Sequence, residues 1–242
     1  MLYRHLNRLQ QLSLPSLLLL AAFLLLPAVF SGLITDDWIH YSVFHSKLGI
    51  GGKDFPSIFG VFSFLSNNSE HYQNTINFGQ AAWWADEGFS WVFFRPLTEV
   101  SHYIDYVLFG GNELIMHMHS MLLYLLFCFG LYHCLQKVFS PSQSQFIILV
   151  FAFSNVHALT VTWVANRSAL LAGLFCLLAF YQYTNAHRDK RLYALALLSF
   201  TLALASGEIA LSLGVFLGFY VWFVERKPLH LVVWRLMPFL II

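Results

Sequence analysis

Charge is what this sequence lacks most: only 10% of its 242 residues are Asp, Glu, Lys or Arg. A water-facing surface ordinarily needs roughly a quarter of the chain to be charged, so an ordinary soluble domain is excluded. The net charge of +1 leaves no basic field for nucleic acid. Cysteine is scarce as well. Cys128, Cys134 and Cys176 all lie within apolar runs and read as small core residues, not as a disulfide framework or metal cluster. What fills the chain is apolar: 58% hydrophobic residues, 25 Phe, 11 Tyr and 7 Trp, with a mean hydropathy of +0.65. A helical bilayer crossing takes roughly 20 apolar residues, so this length allows about six or seven crossings and no separate soluble core.

The runs can be placed in order. Leu14 to Ile34 is uncharged and apolar, about 32 Å as a helix, too long for a cleaved leader. Thr35 to Asn112 is the least apolar region, with Asp36, Asp37, Asp54, Glu70, Asp86, Glu87, Glu99 and Asp105 against Lys47, Lys53 and Arg95. Within it Ile58 to Leu65 is a short apolar stretch, and Trp83, Trp84 and Trp91 suit a membrane interface. Pro96 heads a predicted helix through Leu97, Val100, Ile104, Val107 and Leu108 that Gly110-Gly111 ends. The expectation is a long loop carrying two short interfacial helices. Leu114–Leu135 is a second span. A third runs from Gln145 towards Val164, interrupted by Ser154, Asn155 and His157, and a fourth from Ser168 to Tyr183. Leu192 to Val224 would make a helix of about 50 Å, so it is split at Ser206-Gly207-Glu208 into two spans. Leu229 to Ile242 begins a seventh. The fold class predicted is all-α: one polytopic membrane domain over residues 1–242, with about six spans plus a partial seventh.

Charge orients the bundle. With the N-terminus cytoplasmic, the inner segments hold Arg4, Arg8, Lys137, Arg188, Lys190, Arg191, Arg226, Lys227 and Arg235, nine of the 13 Lys and Arg. Only Asp189 and Glu225 of the 12 acids join them, as the positive-inside rule prefers. The large loop, His157, Arg167 and Glu208 then fall at the non-cytoplasmic face. The triplets Asn67-Asn68-Ser69 and Asn166-Arg167-Ser168 match a glycosylation pattern that is common by chance.

Ionisable groups at that face are the candidates for chemistry. The Asp36-Asp37 doublet suits a general base for an acceptor hydroxyl, or ligands for a hard divalent cation, or simply the water boundary of a span. Arg95 carries a fork suited to phosphate, or anchors an interfacial helix. His117 shares a helical face with Ser120, Met121 and Tyr124. It stands two residues from His119, a spacing that points the rings apart and disfavours a shared metal. His157 and Arg167 flank one outer turn and Glu208 stands at the next, where Arg167 and Glu208 also suit a structural ion pair.

Taken together, Asp36-Asp37-Trp38, Arg95-Pro96-Leu97 with His117 about twenty residues on, the series His157, Val161, Trp163 and Arg167, and Ser206-Gly207-Glu208 resemble the GT-C superfamily of membrane glycosyltransferases. They are most similar to its transmembrane and tetratricopeptide-repeat O-mannosyltransferase group. The likeness covers roughly residues 35–222. It departs at Ser154-Asn155, where that group has His-Pro, at Leu159 in place of Glu, at Gly207 in place of Lys, and at Ser120 and Tyr124 in place of Asn and His. The resemblance implies an inverting transfer from a polyprenyl-phosphate sugar to a hydroxyl of a protein or glycan acceptor. Asp36 or Asp37 would be the base, and Arg95, His117, His157, Arg167 and Glu208 would bind substrate. A divalent cation is compatible with that chemistry but not demanded by it. Relatives have more spans, so the chain reads as the N-terminal part of such a bundle. A non-catalytic scaffold and a transporter subunit are the competing expectations, although transporters usually place charged groups near the bilayer midplane.

Overall fold

The computed structural model describes residues 13–45, 59–65, 73, 76–77, 84, 90–154, 157–186 and 189–242. Arg4, Arg8, Lys47, Lys53, Asp54, the Asn67 triplet, Trp83, Asp86, Glu87, Asn155 and Arg188 lie outside them. Among the described residues the protein is all-α but for one short ribbon. Its helices are α1 (Leu14–Leu25), α2 (Asp37–His45), α3 (Pro96–Phe109), α4 (Glu113–Leu135), α5 (Pro141–Ala152), α6 (Ala158–Thr162), α7 (Arg167–Ala186), α8 (Lys190–Leu204), α9 (Ser212–Phe219) and α10 (Leu229–Ile241). Strands β1 (Ser63–Leu65) and β2 (Trp91–Val92) pair antiparallel, with a register irregularity between Ser63 and Leu65. The apolar stretch ending at Leu65 is therefore partly a strand. It lies in the long loop beside the helix at Pro96.

Two helical stretches, Glu113–Leu135 and Val164–Ala186, are long and apolar enough to cross a membrane, each of 23 residues. Shorter apolar helices occupy Leu14–Phe30, Glu208–Val224 and Leu229–Ile241. Two expected spans are interrupted. The first passes from α-helix to a 3-10 turn at Leu26–Phe30, because Pro27 has no N–H for the helical ladder and its ring crowds the preceding turn. The third breaks between α5 and α6, and Trp163 then adopts an extended conformation (φ −90°, ψ 93°). Ser154, Asn155 and His157 mark the break in sequence. The reading of Leu192–Val224 as a hairpin matches the structure: α8 stops at Leu204, and a new helical turn opens at Glu208.

The helices are greasy on their outer faces, and some also bury polar side chains. Along α4 the exposed residues are Leu114, Met118, Leu122, Leu126 and Phe129, whereas the buried face carries Met116, Ser120, Tyr124, Cys128 and Tyr132. Both stripes recur about every turn, and the pattern inverts that of a helix packed in water. Helices α7 and α8 meet along alanines seven residues apart, Ala172, Ala179 and Ala186 on one and Ala196 and Ala203 on the other, all buried. Such small side chains let two backbones approach closely. A single interhelical hydrogen bond, Ser199 Oγ to Gln182 Oε1 at 2.8 Å, joins the seam.

Polar anchors fix the loop helices to the bundle. Gly110 ends α3 in the left-handed region (φ 62°), and Asn112 caps α4 by accepting from the Ile115 N–H at 3.2 Å. At the start of α3 the Leu97 N–H, unpaired within its own helix, donates to Ala205 O at 2.9 Å. Thr98 Oγ1 donates to Ser206 O at 2.7 Å. The Pro96 helix is thereby docked on the turn between α8 and Glu208. Buried Glu99 accepts from the Gly60 N–H at 2.6 Å and from Phe62 N–H at 3.5 Å, holding the approach to β1.

Candidate functional site

The docked elements enclose a cavity of about 280 Å³. Asp36, Arg95 and Asn166 give it polar walls, and Phe62, Trp91 and Trp163 are among its aromatic ones. Ribbon, α2, the head of α3 and the turn before α7 all contribute, although they are far apart in sequence.

The two aspartates do different things. A left-handed Thr35 (φ 45°) starts the turn into α2, a conformation that L side chains adopt rarely. Asp37 then points into the protein. Its Oδ2 accepts from Ile34 N–H at 3.0 Å and Val164 N–H at 3.3 Å, and its Oδ1 accepts from Ala165 N–H at 2.6 Å. It is almost fully buried. Burial pushes its carboxyl above the usual carboxylate range, an effect opposed by these three N–H bonds. Asp37 is the peg that holds the turn preceding α7. Asp36 is half-buried, faces the cavity and has no side-chain hydrogen bond among the described residues. Partial burial alone raises its carboxyl. A carboxylate of raised basicity in an open cavity fits general-base chemistry better than a pegged one.

Arg95 lines the same cavity. Its Nε and Nη2 both donate to Glu208 Oε2, at 3.0 and 2.8 Å, and Nη1 donates to Ser168 Oγ at 3.4 Å. The guanidinium carbon stands 4.4 Å from the Phe93 ring centroid and 5.1 Å from that of Phe62, a cation–π arrangement that restricts the plane of the fork. Arg95 and Glu208, candidates from different parts of the sequence, are thus one unit.

Arg167, His117 and His157 sit outside the cavity lining. Arg167 is fully buried and donates to Asp105, to Ser101 Oγ at 3.0 Å, to Ser120 Oγ at 3.4 Å and to Met116 O at 2.9 Å. Its ion-pair partner is Asp105 and not Glu208. Asp105 bonds His119 Nδ1 as well, at 2.5 Å. Four of the five N–H donors of this fork are taken up by the protein, in keeping with the needs of a buried guanidinium. His117 is buried with Nε2 3.1 Å from Gly32 O and Nδ1 3.4 Å from Val161 O, tying the end of the first apolar helix to α6. His157 packs on Phe151, with ring centroids 4.0 Å apart, and lies 5.8 Å from Tyr124. No cluster of three His, Cys, Asp or Glu suited to a metal occurs among the described residues.

Residues not singled out in sequence complete the arrangement. Ser168 and Thr98 position Arg95. Behind the wall, His40 and His102 are fully buried, with ring centroids 4.9 Å apart and none of their four ring nitrogens hydrogen-bonded. Burial, reinforced by the charges of Arg167 and Arg95, lowers the basicity of His40 to a pKa of about 3, so both rings are neutral filler for the aromatic wall. Their only sequence signal was histidine inside otherwise apolar helical spacing.

Below the cavity an apolar groove of about 720 Å³ runs between α4, α7 and the Glu208–Val224 helix. Ala169 and Ile209 line it, next in sequence to Ser168 and Glu208, and Val138 and Val224 line it beyond the ends of α4 and α9. Comparison of the chain with protein families, curated proteins and solved structures returns no match.

Proposed function

We propose that this chain is a multi-pass membrane protein that transfers a sugar from a polyprenyl-phosphate donor to an acceptor hydroxyl at the non-cytoplasmic face. The carrying observation is that a carboxylate, Asp36, and a guanidinium, Arg95, line one aromatic cavity, while Ala169 and Ile209, next in sequence to the Ser168 and Glu208 that hold the guanidinium, line a separate apolar groove. Helix α7 supports the membrane reading: it starts beside the cavity at Arg167, ends near Lys137 through an Asn185–Lys137 hydrogen bond of 2.6 Å, and is 20 residues long. That is about 30 Å, the thickness of a bilayer's hydrocarbon core. The basic residues Lys137, Lys190 and Arg191 belong to the end away from Asp36, which makes that end cytoplasmic by the positive-inside rule.

The isoprenoid chain occupies the groove, and the phosphate rises past Ala169 and Ile209 to Arg95. Glu208 and Ser168 hold the guanidinium in place, leaving N–H donors for phosphate oxygens. The sugar stacks on the aromatic wall. Asp36 takes the proton of the acceptor hydroxyl as its oxygen bonds to the anomeric carbon. The bond from that carbon to the phosphate oxygen breaks, and the electron pair leaves with the polyprenyl phosphate, inverting the centre. The phosphate is a stable anion and needs no protein acid. Among the described residues that line the cavity Asp36 is the one carboxylate, so a divalent cation there would need further ligands from the substrate, from water or from elsewhere in the chain.

The experiment is sugar release from polyprenyl-phosphate mannose by proteoliposomes of the chain, with peptide or glycan hydroxyl acceptors. The proposal expects acceptor-dependent release with inverted product. Release independent of acceptor, or none while the protein remains folded, would refute it.

A further inference from the structure

A second polar cavity, of about 600 Å³, is lined by Tyr183, Tyr193, Tyr220, Glu225, Lys227 and Arg235, where α7 ends, α8 begins and the chain turns towards α10. The turn is unusual. The helix that starts at Glu208 finishes in a π-helical stretch, Tyr220–Val224, and Arg226 follows in the left-handed region (φ 53°), which L residues other than Asn and Asp seldom occupy. The Lys227 N–H then closes on Val221 O at 3.1 Å. This path places the Lys227 side chain at the cavity.

The charges in the cavity do not balance. Arg235 Nη1 donates to Glu225 Oε2 at 2.5 Å, so those two cancel. Lys227 is half-buried and has no side-chain hydrogen bond or ion pair among the described residues. The Tyr193 hydroxyl donates to Arg235 O at 3.0 Å. The Tyr183 hydroxyl is buried close enough to the Arg235 guanidinium to accept from it, but its own O–H donor has no partner among the described residues. A buried donor of this kind needs a partner. The surroundings are apolar and aromatic, with Trp222, Phe223 and Trp234 exposed on neighbouring turns, residues that favour the depth of lipid head groups.

We propose that this cavity seats the phosphate of an anionic phospholipid of the cytoplasmic leaflet. Lys227 supplies the unspent charge, and Tyr183 supplies a hydroxyl donor. The acyl chains lie along Trp222, Phe223 and Trp234. A soluble phosphate would satisfy the cation and the hydroxyl but would leave the aromatic rim uncovered. The assignment rests on the membrane reading above and is independent of the transferase reading.

The detergent-solubilised full chain is titrated with phosphatidylglycerol and with phosphatidylcholine, and bound lipid is counted by native mass spectrometry. A basic residue facing an anionic lipid is worth about fivefold in affinity, so phosphatidylglycerol is expected to bind about fivefold tighter. Lys227→Gln should remove that preference, and Tyr183→Phe should weaken the binding of both lipids, since both carry the phosphate. Arg226→Gln makes the same change of net charge one residue away and should leave it intact. Equal binding of the two lipids overturns the assignment, as does an equal loss in the Arg226 variant, which would mean diffuse attraction. Displacement by excess inorganic phosphate would assign the cavity to a soluble anion and overturn it too. Carbonate extraction of membranes separates the layers of the argument: release of the chain refutes the membrane reading along with the lipid, whereas retention with equal binding refutes the lipid alone.

Discussion

Replacing each aspartate of the doublet with asparagine separates the two roles assigned here. In Asp37 one oxygen serves Ala165 and the other serves both Ile34 and Val164. Asparagine has one carbonyl oxygen, so either one or two of those buried N–H groups must face an NH2. An unsatisfied buried donor costs about 1–3 kcal/mol, and bonds to a charged acceptor are the stronger kind. Asp37→Asn is therefore expected to destabilise the protein by about 2–4 kcal/mol, against the 5–15 kcal/mol that holds a typical fold. Asp36 makes no such bonds, so Asp36→Asn should melt within a degree or two of the parent, in keeping with the small effects of surface substitutions. It should nevertheless lose about 10²–10⁴-fold in sugar transfer, the usual contribution of a general base. Thermal unfolding in detergent and transfer in proteoliposomes read the two limbs independently. An Asp37→Asn protein as stable as the parent would refute the peg, and an Asp36→Asn protein with full transfer would remove the base.

Three further outcomes are expected. Arg167→Met strands the Asp105 carboxylate in the interior and should cost about 3–5 kcal/mol, with much of it regained on adding Asp105→Leu, as chemical denaturation of the two variants will show. The acid limb of transfer against pH should lie above the ordinary carboxylate range: burial raises Asp36, which is protonated and idle below its pKa and active above it; a limb at the model-peptide position near 3.8 would contradict this. Gly173→Leu should narrow the groove, since even a Cβ there would stand 2.7 Å from the Phe127 ring; the Michaelis constant for long-chain donors should rise more than for short-chain analogues.

Helices with a single apolar run between clear stops were legible in sequence: Glu113–Leu135, Arg167–Ala186 and the hairpin at Gly207 stand close to their expected bounds. Interruptions were less so, because a proline such as Pro27 signals a break without saying whether the chain resumes in line. The ribbon of Ser63–Leu65 with Trp91–Val92 was invisible, since its strands are short and their pairing depends on Glu99 holding the approach to the first strand. At the candidate site the sequence singled out Asp36, Arg95 and Glu208 by their rarity as charges near one face. It could not say that Asp37 turns inward while Asp36 turns outward, because neighbouring helical residues point about 100° apart and only the tertiary partners decide which way each faces. The surroundings of Arg167 were hidden for the same reason: four acceptors drawn from α3 and α4 have no common signature along the chain.

The fork of Arg95 is held by a residue 113 positions later. During synthesis from the N-terminus, the arginine must therefore wait without its carboxylate partner until the Ser206-Gly207-Glu208 turn has been made. A nascent chain stopped at α7 would already carry every described residue of the cavity wall but would hold the Arg95 fork by Ser168 alone, so the charge facing the cavity would be fixed late, with the last third of the polypeptide.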